Sequence, residues 1–156
     1  MRTTFTRALT ALAITTIAAF GADNSIGTWK LNLEKSKYTP APMPVKGLTV
    51  TREVSDGGVK VTTTGERADG EAINAAYTLK YDGTDVQVTG NAPYNTISVK
   101  QQNANTFTDQ RKKTGAPYHA SGRTVISNGG KTLTIVTKGT DPEGKPFAST
   151  FVFDKQ

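Results

Sequence analysis

Arg52 lies in the segment LTVTREV (48–54), where strict alternation sets it on the same side as Leu48, Val50 and Val54. A guanidinium enclosed by aliphatic side chains needs an anion or carbonyl groups around it, because burying it bare is prohibitively costly. The segment TFTDQRK (106–112) repeats the theme: if Phe107 points inward, so do Asp109 and Arg111. Two chemistries follow. Either the arginines rest at a rim or in an internal salt bridge, Arg111 with Asp109 across the diagonal of one strand, and serve no ligand. Or Arg52 and Arg111 anchor the polar head of an enclosed molecule, with Tyr77, Tyr81 and Gln101 as neutral hydrogen-bond partners and Phe107 and Phe151 among the apolar lining.

Other reactive types are sparse. His119 is the sole histidine, and nothing in its spacing supplies an activated serine or an orienting acid. Glu53, Glu66, Glu71, Asp85 and Glu143 fall on outward faces or turns, so paired carboxylates for hydrolysis are not evident. The acidic-glycine turns lack the alternating carboxylates and closing glutamate of a calcium loop. With no cysteine there is no disulfide and no thiolate chemistry. Neither a metal nor a cofactor is expected, and catalysis is the minor hypothesis.

The elements that must position these groups are short alternating segments rich in Val, Ile, Thr, Tyr and Phe. They read as strands near 26–33, 47–54, 58–65, 72–81, 84–89, 95–102, 105–112, 117–127, 131–138 and 146–154. Hairpin signals stand at Asp56-Gly57-Gly58, Asp82-Gly83, Asn128-Gly129-Gly130 and Asp141 to Gly144. Only 34–46 is long, and Pro40, Pro42 and Pro44 make it an extended strap across one end. Consecutive hairpins without a covering helix favour a barrel that removes its own edges. Alternation predicts an interior of Trp29, Leu31, Leu33, Leu48, Val50, Val54, Val59, Val61, Tyr77, Leu79, Val86, Val88, Ile97, Val99, Phe107, Leu133, Ile135, Phe147, Phe151 and Phe153, with Thr28, Lys30 and Asn32 facing water. The strand through 117–127 has open phase. A bulge at Gly122 would decide whether His119, Ser121 and Arg123 or Tyr118, Ala120 and Thr124 look inward.

Residues 1–21 have the form of a secretory signal peptide: two arginines, an apolar run from Ala8 to Phe20, and a small-residue exit before Ala22. That run is interrupted by three threonines and falls short of the roughly 20 residues that span a bilayer, so no stable membrane anchor is expected. Residues 22–156 make one domain, of a size that supports its own core. Loss of Arg2 and Arg7 with the leader takes two from a formal charge of +6. The remaining cations are dispersed, which argues against nucleic acid. A periplasmic or secreted monomer is the expectation.

With GTWKLNL (27–33) opening this meander, the chain resembles the calycins, the superfamily of lipocalins and fatty-acid-binding proteins, and small exported bacterial proteins described as lipocalin-like. The resemblance rests on Gly27 and Trp29, and extends loosely to Lys131–Ile135 and Phe147–Asp154 as the last two strands. It implies an all-β, antiparallel up-and-down barrel of about 8–10 strands, with Gly27 and Trp29 closing one end. Lipocalins normally end in a helix packed on the barrel, and here the chain departs from them: a strand before Gln156 gives the expectation of no C-terminal helix and favours the ten-strand branch. Two further departures limit the resemblance. The proline-rich 34–46 segment cannot supply the helix pair of fatty-acid-binding proteins, and no arginine stands on the last strand to grip a carboxylate. The expected function is an exported lipocalin-like protein holding a small apolar or amphiphilic molecule in its lumen. The alternatives are a structural barrel with a self-filled core, a lumen-based isomerase or cyclase, and a haem-binding barrel using His119.

Overall fold

A computed structural model describes residues 23–156; the expected signal peptide at 1–21 lies outside them. The described chain is antiparallel sheet apart from turns and one 3-10 turn at Asn128–Gly130. Its strands are β1 (Gly27–Leu31), β2 (Lys37–Thr39), β3 (Val45–Ser55), β4 (Gly58–Arg67), β5 (Ala72–Leu79), β6 (Asp82–Gln87), β7 (Thr89–Gly90), β8 (Thr96–Asn103), β9 (Thr106–Lys112), β10 (His119–Ser127), β11 (Thr132–Thr140) and β12 (Pro146–Lys155). No helix among the described residues is long and apolar enough to cross a membrane.

All ten expected strands are present, joined by two short ones. The hydrogen-bonded order is β6-β8-β9-β10-β11-β12-β1-β3-β4-β5-β7, with β2 also on β12. Because β6 and β7 are successive pieces of one chain segment, that segment pairs first with β8 and then, past Val88, with β5. The sheet thereby closes on itself as a barrel. The strap contains β2, which continues the line of β1 along β12 through Ser149↔Tyr38. Its partnership with β12 leaves the wall between β2 and β3 without ladder bonds, and an outer groove lined by Leu33, Lys46 and Leu48 marks the place.

One end is floored by the core. Trp29, Leu31, Val59, Val61, Leu79, Ile97, Val99, Phe107, Ile126, Leu133 and Phe153 form its cluster, and Trp29 is wholly buried. Residues 23–26 fold across beneath it. The Trp29 indole N–H donates to the Ser25 carbonyl at 2.8 Å, and Ser25 is itself fully buried. Lys155 Nζ stands 5.1 Å from the centre of the indole. Gly27 has φ +132, a region open to glycine, and a Cβ there would run into the Lys155 side chain.

The expected interior needs two corrections, both where strands end. Leu33 is exposed because the chain leaves β1 at Asn32: the Asn32 carbonyl accepts the Ser36 hydroxyl, and its side-chain oxygen accepts the Lys35 N–H. Val54 is 79% exposed. Here β1 begins at Gly27, opposite Arg52, so β4 alone flanks the tip of β3. Asn32, expected in water, is instead half-buried and donates to Asp154 at 2.7 Å. The Asp82-Gly83 signal also moves: both residues lie in β6 at a register shift, and the reversal is at Lys80-Tyr81. Tyr81 adopts φ +59 there. That left-handed conformation costs energy in a non-glycine residue, and the ring offsets it by packing on Phe107 at 4.8 Å and bonding Ser25 Oγ at 2.9 Å.

Candidate functional site

Above the floor lies a cavity of about 470 Å³. That is within the range of small-molecule sites and far larger than a packing void. Its aliphatic wall is Val45, Leu48, Val50, Ile73 and Ala75 from β3 and β5, and Phe151 and Phe153 of β12 face it from the other side. Aromatic rings crowd its mouth. Tyr94 and Tyr118 stack at 5.9 Å, Tyr118 and Phe147 at 6.1 Å, and Phe147 and Tyr38 at 5.8 Å, with interplanar angles of 24°, 27° and 16°. Together these four residues make a continuous ladder from the loop before β8 to the strap.

Register explains the polar end. Arg52 is opposite Val61, and Val61 opposite Tyr77, so the three share one inward row across β3, β4 and β5. Val61 is small and fully buried between them, and both Arg52 and Tyr77 line the cavity. Arg52 is only 7% exposed. It makes no ion pair among the described residues, and its Nε has no hydrogen-bond partner. The adjacent polar group is the neutral Tyr81 phenol.

Arg111 is different. Its Nε lies 2.7 Å from one oxygen of Asp109 and its Nη2 donates to the other at 3.1 Å, along the strand diagonal. The guanidinium also stands over the Tyr94 ring, 5.5 Å from its centre. Asp109 is 5% exposed, and room for its carboxylate comes from Gly122 directly opposite on β10. A Cβ at Gly122 would run into the Asp109 carboxylate. Gly122 is therefore no bulge: the β9–β10–β11 register runs through it without a break. Replacing it with alanine is expected to cost about 1–3 kcal/mol, the usual penalty of overpacking; an unchanged urea midpoint would contradict this contact.

The unbroken register settles the phase of β10. Tyr118, Ala120 and Thr124 are buried, whereas His119, Ser121 and Arg123 are exposed. His119 bonds the Pro117 carbonyl at 3.1 Å on the outside, so it cannot offer a ligand to haem in the lumen. Of the other expected site residues, Arg52, Tyr77, Arg111 and Phe151 line the cavity. Phe107 and Tyr81 lie in the floor below it. Gln101, expected as a hydrogen-bond partner in the lumen, does not line the cavity; its backbone N–H donates to the Tyr81 carbonyl at 3.1 Å. Sequence reasoning missed Tyr38, Tyr94, Arg67 and the rim pair Asp141 and Glu143, which also border the cavity. Arg67 is engaged, with Glu71 at 3.0 Å and the Asn91 carbonyl at 2.6 Å. Among the described residues no cluster of His, Asp or Glu is arranged to hold a metal.

Burial raises the phenol pKa values of Tyr77, Tyr81 and Tyr118. It drives Tyr77 and Tyr81 upward, and lifts Tyr118 to about 12 against the lowering pull of Arg111. The folded chain thus holds these protons more tightly than the unfolded chain, whose tyrosines ionise near pH 10. Their contribution is complete below about pH 10 and is lost as pH climbs through the folded values. Urea midpoints are expected to fall from about pH 10 upward, with phenolate absorbance lagging the midpoint of free tyrosine. A single absorbance step near pH 10 for every phenol would contradict the burial of these rings.

An antiparallel cylinder floored by one tryptophan, with a partly polar chamber above it, is a calycin-like barrel. No protein-family model and no curated protein matches the sequence. Among solved structures, the S-type phycobiliprotein lyase CPES from Guillardia theta is similar, with a TM-score of 0.51 at 13% identity over 85% of this chain and 89% of that one. The zebrafish ileal bile acid-binding protein in complex with cholic acid matches at a TM-score of 0.45 and 10% identity, over 85% of this chain and 99% of that one. At 13% identity the likeness to the lyase speaks to the fold alone.

Proposed function

We propose that the protein is an exported, monomeric binding barrel that holds a small, largely apolar or amphiphilic molecule in its lumen. The observation that carries this reading is the chamber of about 470 Å³, walled by aliphatic and aromatic side chains with a few inward polar groups. A barrel filled by its own side chains would have only scattered voids. Catalysis gains no support: Asp109, the interior carboxylate, is engaged by Arg111, and His119 faces away from the chamber. Affinity would come from burying ligand hydrocarbon at roughly 25 cal/mol per Å². The leader-like segment 1–21 motivates the export part.

Native mass spectrometry of the protein purified from its own host tests both parts. The expected spectrum shows a chain lacking residues 1–21 and a copurifying small molecule released on denaturation. Absence of any such molecule, together with no response to apolar fluorescent probes, would overturn the binding reading. An uncleaved chain would overturn export.

A further inference from the structure

We infer that the chamber is built for one planar, conjugated monocarboxylate, its acid group on Arg52 and Tyr77 and its ring system along the stacked rings of Tyr94, Tyr118 and Phe147. This rests on the binding reading and specifies its ligand class.

Charge accounting gives the acid. Three arginines border the chamber, and two are neutralised: Arg67 by Glu71 at 3.0 Å, Arg111 by Asp109 at 2.7 Å. Arg52 alone of the three has no carboxylate in ion-pair range among the described residues, only a phenol for a neighbour, at 7% exposure. A buried guanidinium in that condition is costly until an anion meets it, and its planar fork matches a carboxylate in two-pronged fashion. The shared row of Arg52, Val61 and Tyr77 puts Arg52 and Tyr77 on one inner surface of the cavity, where the Tyr77 hydroxyl offers a further neutral donor to the same ligand. This placement on β3 and β5 is unrelated to the last strand, which carries no arginine.

The rim gives the single charge. Asp141 and Glu143 border the opening. A ligand entering acid-first leaves its neutral end beside them, whereas a second carboxylate at the far end would face two like charges.

The walls give the planarity. Successive rings of the ladder are inclined by no more than 27°, and they share the cavity with branched aliphatics including Val45, Leu48 and Ile73. A flat π-system gains offset stacking on such rings beyond its area burial, and a saturated chain does not.

The test is a fluorescence titration of the full chain with 2-anthracenecarboxylate and with 2-anthracenemethanol, its neutral counterpart, followed by displacement with decanoate. The acid is expected to bind on the order of tenfold or more tightly than the alcohol, as a charge-assisted bond in a buried site would give. Arg52→Met is expected to erase that preference while leaving alcohol binding in place, and Arg52→Lys, which keeps the charge but not the fork, to retain part of it. Decanoate is expected to displace the acid poorly. Equal affinity for acid and alcohol would overturn the anion site while sparing the binding reading, and efficient displacement by decanoate would overturn the planar part. If none of the three binds, the binding reading itself falls. The acid and alcohol comparison is made on the unaltered chain, so it decides even if an Arg52 variant fails to fold.

Discussion

Trp29→Ala is expected to cost about 3–5 kcal/mol in unfolding free energy, the range for removing a large aromatic from a packed interior. The indole is wholly buried and is the largest side chain of the floor, between Leu31, Val50 and the residues that fold beneath the barrel. Its removal opens a void at the closed end and leaves the fully buried Ser25 without the indole N–H that its carbonyl accepts. Trp29→Phe separates the two contributions. It keeps much of the ring volume and loses the hydrogen bond, so a loss nearer 1–3 kcal/mol is expected from the orphaned carbonyl and residual gap. Urea denaturation of the three proteins measures both. A Trp29→Ala loss under about 1 kcal/mol would mean that the floor is held by something other than this residue.

The second large effect concerns the ion pair. Asp109→Ala removes the carboxylate that faces Arg111 on two prongs and leaves a guanidinium, 16% exposed, over Tyr94 with no counter-charge. Breaking a buried pair from one side costs about 3–5 kcal/mol, more than the pair itself contributes. The double change Asp109→Leu with Arg111→Met removes both charges and keeps apolar volume, so it is expected to recover most of the loss. A double variant no more stable than Asp109→Ala alone would show that the pair is not the origin of the effect. Arg52 responds differently. With no internal acid to lose, its replacement by methionine removes an unpaired buried cation, and the consequence is read in ligand preference.

The inward polar groups were legible because a strand's period of two is insensitive to exact boundaries. Arg52 follows from Leu48 and Val50, and Asp109 and Arg111 follow from Phe107, whichever residue begins the strand. The diagonal pairing of Asp109 and Arg111 was one of two open readings. The alternation could not show that Gly122 across the ladder is what makes room for it. Failures gather where strands stop. Leu33 and Val54 obey the period, but Leu33 lies past the end of β1 and Val54 at a tip of β3 that β4 alone flanks. Tyr81 reads as a strand residue in the sequence because the reversal uses a tyrosine in a left-handed conformation, one position before the Asp-Gly signal. The aromatic ladder is hardest to foresee. Tyr38, Tyr94 and Tyr118 come from the strap and from loops, and only closure of the barrel brings them to one rim.

The segment that changes partners at Val88 turns the last join of the cylinder from a row of hydrogen bonds into a length of covalent chain. Between β5 and β6 the sheet has a slit, tied at one end by the Lys80-Tyr81 reversal and at the other by the pairing of Thr89 and Gly90 with Ala76 and Ala75. A tear in this seam cannot lengthen without pulling backbone through one of its knots. Foreign strands seeking an edge to extend find here only a short buttonhole, stitched at both ends.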